Sequence, residues 1–223
     1  MIDPFADVDR GALEWQGGSY GSSREGVALR AWLAAGHEPA PLVLAAIHGN
    51  EPETTVALSA ALRAVLPEER RCAVVLCANP DGALLGTRGN AHGVDLNRNF
   101  ATRNWAPQLP GELPAGTAAG SEPETQALAG LIGRLAPPII LSIHSDLACV
   151  DDPGPTALGR WLAARSGLPL VAGVGYPTPG SLGTWCAERG LPIVTLELER
   201  LGAQDLRRRW SPILAEVIRG AAP

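Results

Sequence analysis

The sequence predicts an α/β fold: one mixed, mostly parallel central sheet with helices on both faces. Three observations predict it. Short apolar runs, "APLVLAAI" (40–47), "CAVVLCA" (72–78) and "PPIILSIH" (137–144), read as strands buried on both sides. Helical stretches alternate with them along the chain. A length of 223 residues, 46% hydrophobic and 18% charged, suits a single domain over 1–223 with a full core.

The elements follow in order. The Gly/Ser-rich turn within "GGSYGSSREGVALR" (17–30) predicts a hairpin. The 40–47 strand leads to a helix opening at Pro52, where a missing N–H costs nothing in the first turn. After the 72–78 strand, "NPDG" (79–82) is a turn signal. Residues 82–121 are rich in Gly, Asn and Pro with little periodicity, and loops of that length in compact domains are usually functional. "SEPETQALAGLIGRLA" (121–136) reads as a helix with Ser121 as its cap and Glu124 at capping-box spacing. Beyond the 137–144 strand come a helix near 155–166, a short strand near 168–172 and a Gly/Pro loop (173–183). A short helix, the strand "LPIVTLELE" (191–199) and a helix over about 203–219 complete the chain.

Composition excludes several functions. Net charge is −5, whereas nucleic-acid binders concentrate positive charge, so no nucleic-acid partner is expected. All 18 basic residues are Arg, which rules out a lysine Schiff base and a phosphate-loop lysine. Cys72, Cys77, Cys149 and Cys186 contain no C-x-x-C pair and make no disulfide scaffold; Cys72 and Cys77 read as small buried hydrophobes. The acidic start, "MIDPFADVDRG", lacks the basic-then-apolar pattern of a signal peptide, and no run approaches the ~20 apolar residues of a membrane span. A cytoplasmic protein with no membrane partner is the expectation.

Chemistry concentrates at two strand ends. In "AAIHGNEPET" (45–54) an apolar run stops at His48, with Glu51 three residues on; "PPIILSIH" stops at His144. Ligands of open α/β sheets bind beyond the carboxyl ends of the strands. His48 and Glu51 supply two metal ligands from one turn and His144 a third. Two His and one Glu are a known catalytic zinc set that leaves one position for water. The H-x-x-E spacing alone is common, and a histidine hydrogen-bonded at a strand end is the alternative reading. His37 and His92 lie in loop contexts where solvated side chains are expected.

"NPDG" (79–82), "TRGN" (87–90), "GVDLNRNF" (93–100), "SIHS" (142–145) and "TLELE" (195–199) occur in that order. Over about residues 40–200 this set resembles the zinc metallocarboxypeptidases, the carboxypeptidase A-like peptidases. "GYPTPGS" with "WC" behind it and "LACVDDP" after His144 resemble the subgroup of bacterial murein peptide amidases, which cleave γ-D-glutamyl–diaminopimelate bonds. The resemblance implies one Zn²⁺ per chain on His48, Glu51 and His144. It implies Glu197 as the general base that takes the water proton and passes it to the leaving amine. Strand alternation puts Thr195, Glu197 and Glu199 on one face, so geometry alone leaves Glu199 a rival; its other reading is a strand-end carboxylate paired with Arg200 or another Arg. Arg88 matches the arginine that stabilises the oxyanion, with a solvated surface charge as its alternative. Asn97 and Arg98 match the pair that grips a free substrate carboxylate. Tyr176 matches a substrate-capping tyrosine and reads equally as a loop aromatic packed on Pro177. Gly183 falls at the specificity-pocket position and offers neither apolar wall nor countercharge. On charge complementarity alone, Asp146, just after the His144 strand, is expected as a partner for an ammonium such as that of diaminopimelate.

The implied activity is zinc-dependent hydrolysis of a small peptide bearing a free carboxylate, with cell-wall peptide recycling as its setting. A rival is an N-acyl amino acid deacylase of the aspartoacylase or succinylglutamate desuccinylase type, which shares H-G-x-E and D-L-N-R motifs. A non-catalytic binding module would require loss of a ligand or the base, and all four residues are present.

Overall fold

The computed structural model describes residue 13, residues 17–36 and residues 39–222; His37 lies outside them. β1 (Gly17–Ser22) and β2 (Ala28–Trp32) form the expected antiparallel hairpin, with a bulge between Ser19 and Gly21. β3 (Leu42–Ala45), β4 (Ala73–Val75), β5 (Ile140–Ser145) and β8 (Ile193–Leu198) are the predicted buried strands, each shorter than its apolar run. β6 (Cys149–Asp151) was not foreseen, and β7 (Leu170–Val171) is two residues long. β6 is too short to show alternation, and it exists because it pairs antiparallel with β8.

These strands make one sheet in the order β1-β2-β4-β3-β5-β8-β6-β7. The four central strands β4, β3, β5 and β8 are parallel; antiparallel pairings flank them. Period-two alternation sends Val43 and Ala45 to one face, where α1 (Pro52–Arg63), α4 (Ala157–Ser166) and α6 (Ala203–Ile218) pack. Leu42 and Leu44 point to the other, against α3 (Pro123–Leu135) and α5 (Leu182–Ala187). Trp210 of α6, fully buried, fills the first core; Phe100 fills the second. Among the described residues, no helix is long and apolar enough to cross a membrane. All four cysteines are free; Cys77 is only half-buried.

Three expectations are corrected. "NPDG" begins α2 (Pro80–Leu85) rather than ending in a turn: Asn79 Oδ1 accepts the Gly82 N–H at 3.0 Å, and Pro80 occupies the first turn. α3 starts one residue later than expected. Pro123 takes its first position, Glu122 becomes the N-cap, and Ser121 Oγ instead donates to Glu122 Oε1 at 2.7 Å. Glu124 is buried and accepts from Asn90 Nδ2 at 3.1 Å, so no capping box forms. The 82–121 segment is not loose. Asn90 receives the backbone N–H groups of His92 and Val94, and Asn99 donates to the carbonyls of Ala115 and Ala118. Buried asparagines here replace the sheet ladder as partners for loop backbone.

Candidate metal centre and active site

β3 ends at Ala45, three residues before His48. The chain then turns through Ala46, held at φ 50°, a conformation costing an alanine roughly 1–2 kcal/mol. Thr54 of α1 offsets the strain: its Oγ1 accepts from Ala46 N at 3.2 Å and donates to Glu51 O at 2.7 Å. Gly49 is required here by proximity. A Cβ on it would lie 2.0 Å from the carbonyl carbon of Gly82, at the start of α2. Asn79 Nδ2 braces the same turn, donating to Ile47 O at 3.3 Å and Arg88 O at 3.4 Å.

This turn presents His48 and Glu51, and β5, hydrogen-bonded beside β3, presents His144. All three are buried, and their ligand atoms lie within 4.8 Å of one another. Glu51 Oε1 is 2.7 Å from His48 Nδ1, and Oε2 is 3.4 Å from His144 Nδ1. Both imidazoles therefore turn Nδ1 inward. Their outer nitrogens face other side chains: His144 Nε2 lies 3.0 Å from Ser142 Oγ, and His48 Nε2 lies 3.3 Å from Asp95 Oδ1, close but out of hydrogen-bond line. Two imidazole nitrogens and a carboxylate, each ring oriented from behind, fit Zn²⁺ with a position left for water.

The charges couple tightly. Burial opposes ionisation of Glu51 and Asp95, but the His48 ring beside both, with His144 at Glu51 and Arg88 at Asp95, holds each carboxyl well below the usual range. Burial likewise opposes the charged form of His48, and the Asp95 and Glu51 carboxylates outweigh it and raise its pKa. Asp95 was missed in the sequence, where it sits unmarked inside "GVDLNRNF". Its signal is a buried carboxylate set between two basic side chains: Oδ1 faces His48, and Oδ2 accepts from Arg88 Nε at 2.8 Å.

Glu197 lies beside His144 across the β5–β8 ladder. It is 7% exposed and lines the same small cavity as His48, His144, Arg88, Arg98 and Tyr176, about 90 Å³ in volume. Burial raises the Glu197 pKa, the Glu51 charge adds to that, and His144 opposes it. Glu199 goes elsewhere. β8 ends at Leu198, alternation lapses, and Glu199 accepts from Trp210 Nε1 at 2.8 Å and pairs with Arg209 at 2.7 Å.

Arg88 lines the cavity half-exposed, with Nη1 3.7 Å from Glu51 Oε1. Arg98 is buried; Glu112 Oε2 accepts from its Nε at 2.8 Å, and Nη1 donates to Asn97 O at 3.0 Å. Asn97 Oδ1 accepts the Leu182 N–H at 2.9 Å, which orients its amide. Gly180, at φ 69°, lets the 173–181 loop lie against Arg98: a Cβ there would meet the Arg98 carbonyl oxygen at 2.0 Å. That loop carries Tyr176, 51% exposed, to the cavity rim. Gly183 lines the cavity as well. Asp146 does not. It lines an adjoining groove together with Glu51 and Arg88, and its carboxylate accepts from Arg200 Nε at 2.5 Å. His92 is less free than expected, with Nδ1 3.2 Å from Glu122 Oε2.

Comparison with known proteins agrees with this geometry. The zinc carboxypeptidase family model matches residues 18–148. Murein peptide amidase A of Escherichia coli is 43% identical over 226 residues, 95% of this chain and 93% of the relative. Murein peptide amidase A of Vibrio campbellii is 42% identical over 174 residues, 73% of this chain and 70% of the relative. The crystal structure of a murein-tripeptide amidase from Escherichia coli matches with a TM-score of 0.89 at 42% identity, covering 94% of each chain. Thrombin-activatable fibrinolysis inhibitor, 20% identical, shares the fold at a TM-score of 0.75, over 92% of this chain and 70% of its own. The chain belongs to the zinc carboxypeptidase family and is a zinc-dependent hydrolase of peptide bonds.

Proposed function

We propose that this protein hydrolyses the γ-D-glutamyl–meso-diaminopimelate bond of murein peptides, in the cytoplasm, from a single catalytic domain spanning 1–223. The observation that carries it is the shared cavity: two histidines, a buried glutamate and two arginines surround a space of about 90 Å³. The close likeness to enzymes named for murein peptides supports the substrate class.

His48, Glu51 and His144 would hold the metal. Zn²⁺, when bound, polarises the scissile carbonyl and lowers the pKa of a water toward 7. Every other part belongs to side chains of the chain. Glu197 accepts the proton of the attacking water and returns it to the leaving amine, a transfer its buried, partly protonation-prone carboxyl suits. Arg88, fixed by Asp95, aims a guanidinium where oxyanion charge develops. Arg98, fixed by Glu112, and Asn97, fixed by Leu182 N, grip the substrate's free carboxylate. Tyr176 closes over the bound peptide from the rim.

Zinc-loaded protein offered L-Ala-γ-D-Glu-diaminopimelate beside N-acetyl-aspartate and N-succinyl-glutamate tests the reading. Release of diaminopimelate with no deacylation is expected. Preferential deacylation would overturn it in favour of an N-acyl amino acid hydrolase.

A further inference from the structure

A second cavity, of about 470 Å³, shares Asp151, Val174, Tyr176, Thr178, Gly183 and Thr195 with the wall of the catalytic one. Its walls are otherwise largely apolar or hydroxyl-bearing. Among the described residues lining it, the only charged side chains are Asp151 and Asp152.

These two neighbours differ. Asp152 is buried and does not line the catalytic cavity: its Oδ2 accepts from Thr156 N at 2.6 Å and from Thr156 Oγ1 at 2.8 Å, at the start of α4, while its Oδ1, like that of Asp151, has no partner among the described residues. Asp151 stands on β6 opposite Thr195 of β8, two residues before Glu197. Cross-strand partners project to the same side, so Asp151 shares the sheet face of Thr195 and Glu197. Its Oδ1 is buried with no hydrogen-bond partner among the described residues. A buried carboxylate oxygen without a donor is costly, and a cation entering the cavity removes that cost.

We propose that Asp151 is the specificity residue of this pocket, holding the second ammonium of a diamino-acid leaving group whose α-carboxylate is gripped by Arg98. The inference rests on the peptide-hydrolase reading above and names what its leaving-group side must carry. Gly183 adds no side chain to the pocket, and Asp151 brings a charge to its wall. A neutral apolar side chain would desolvate Asp151 without a partner, and an anionic one would be repelled, so the pocket selects against both.

The test is calorimetric binding of meso-diaminopimelate and of 2-aminopimelate, which lacks only the second amine, to zinc-loaded wild type and Asp151→Asn. Wild type is expected to bind the diamino acid tighter by about tenfold or more, the scale of one charge-assisted hydrogen bond. In Asp151→Asn the ratio should fall to near one; Asp151→Ser repeats the comparison if the first variant does not fold. A wild-type ratio near one, or a ratio unchanged by the substitution, overturns the assignment. Binding separates this inference from the function it rests on. A preserved preference without tripeptide hydrolysis supports the pocket and refutes the function; hydrolysis without preference does the reverse.

Discussion

His144 and Glu197 are register partners, set side by side on the adjacent parallel strands β5 and β8. Neighbouring strands lie about 4.8 Å apart and paired side chains share a face. The ladder thus sets the spacing between the centre's third ligand and the buried carboxylate, and no loop motion is needed to bring them together. Glu199, just past the end of β8, is drawn instead to Trp210 and Arg209.

Glu197→Gln is therefore expected to keep zinc and lose turnover by about 10²–10⁴-fold, the usual weight of a positioned general base. Glu199→Gln should keep turnover and lower the unfolding midpoint, since it weakens partners on α6. Metal analysis with kinetics on both variants decides it; a dead Glu199→Gln beside an active Glu197→Gln would reverse the roles.

Metal retention should depend on a residue that does not touch the metal. His144→Ala removes a ligand and should empty the site. Asp95→Asn leaves all three ligands but takes away the charge behind His48, and should weaken zinc affinity by about 10–100-fold. Competition with a chelator measures both. Unchanged occupancy in His144→Ala would refute the centre.

Arg98→Ala should raise KM for substrates with a free carboxylate far more than for their amidated counterparts, by about 1.5–3 kcal/mol of binding. An equal effect on both would show that Arg98 supports the fold through Glu112 rather than holding substrate.

Gly49→Ala should destabilise by about 1–3 kcal/mol, because its Cβ would strike backbone of Gly82, not a side chain able to swing away. Thermal unfolding reads the loss. A variant as stable as wild type would mean that α2 moves freely against the turn.

Acid should act on the metal-free protein through the same cluster. Glu51 and Asp95 have depressed pKa values, so their contribution is present above the unfolded carboxylate values of about 4 and is lost as pH falls toward the folded ones. His48 is raised, so its contribution is complete below about 6.5 and is lost as pH rises through its folded value. Urea midpoints of chelator-treated protein should fall on both sides of that window. On the acid side the fall should be shallower in Asp95→Asn; equal slopes would show that Asp95 is not linked to folding.

Much of this was legible in the sequence, because the signals were local. Buried strands announce themselves as continuous apolar runs, Pro52 marks a helix start, and His48 and Glu51 occupy one turn. Where a partner from afar competes, local signals misled. Glu124 sits at capping-box spacing, but Asn90 and the Arg24 backbone claim its carboxylate. Asp146 follows His144 closely in sequence, yet Arg200 holds it outside the cavity, while Asp151 faces inward.

By itself, then, the sequence determined the alternation of strands and helices, the donor types and the order of the motifs. Only the tertiary structure decided that β3, β5 and β8 lie in adjacent register, bringing His48, His144 and Glu197 to one end of the sheet. Only it placed Asp95 behind His48 and Asp151 in the pocket wall. The reason is physical. Period and propensity act over a few residues, whereas strand order and the pairing of buried charges are chosen by burial and hydrogen bonding among segments distant along the chain.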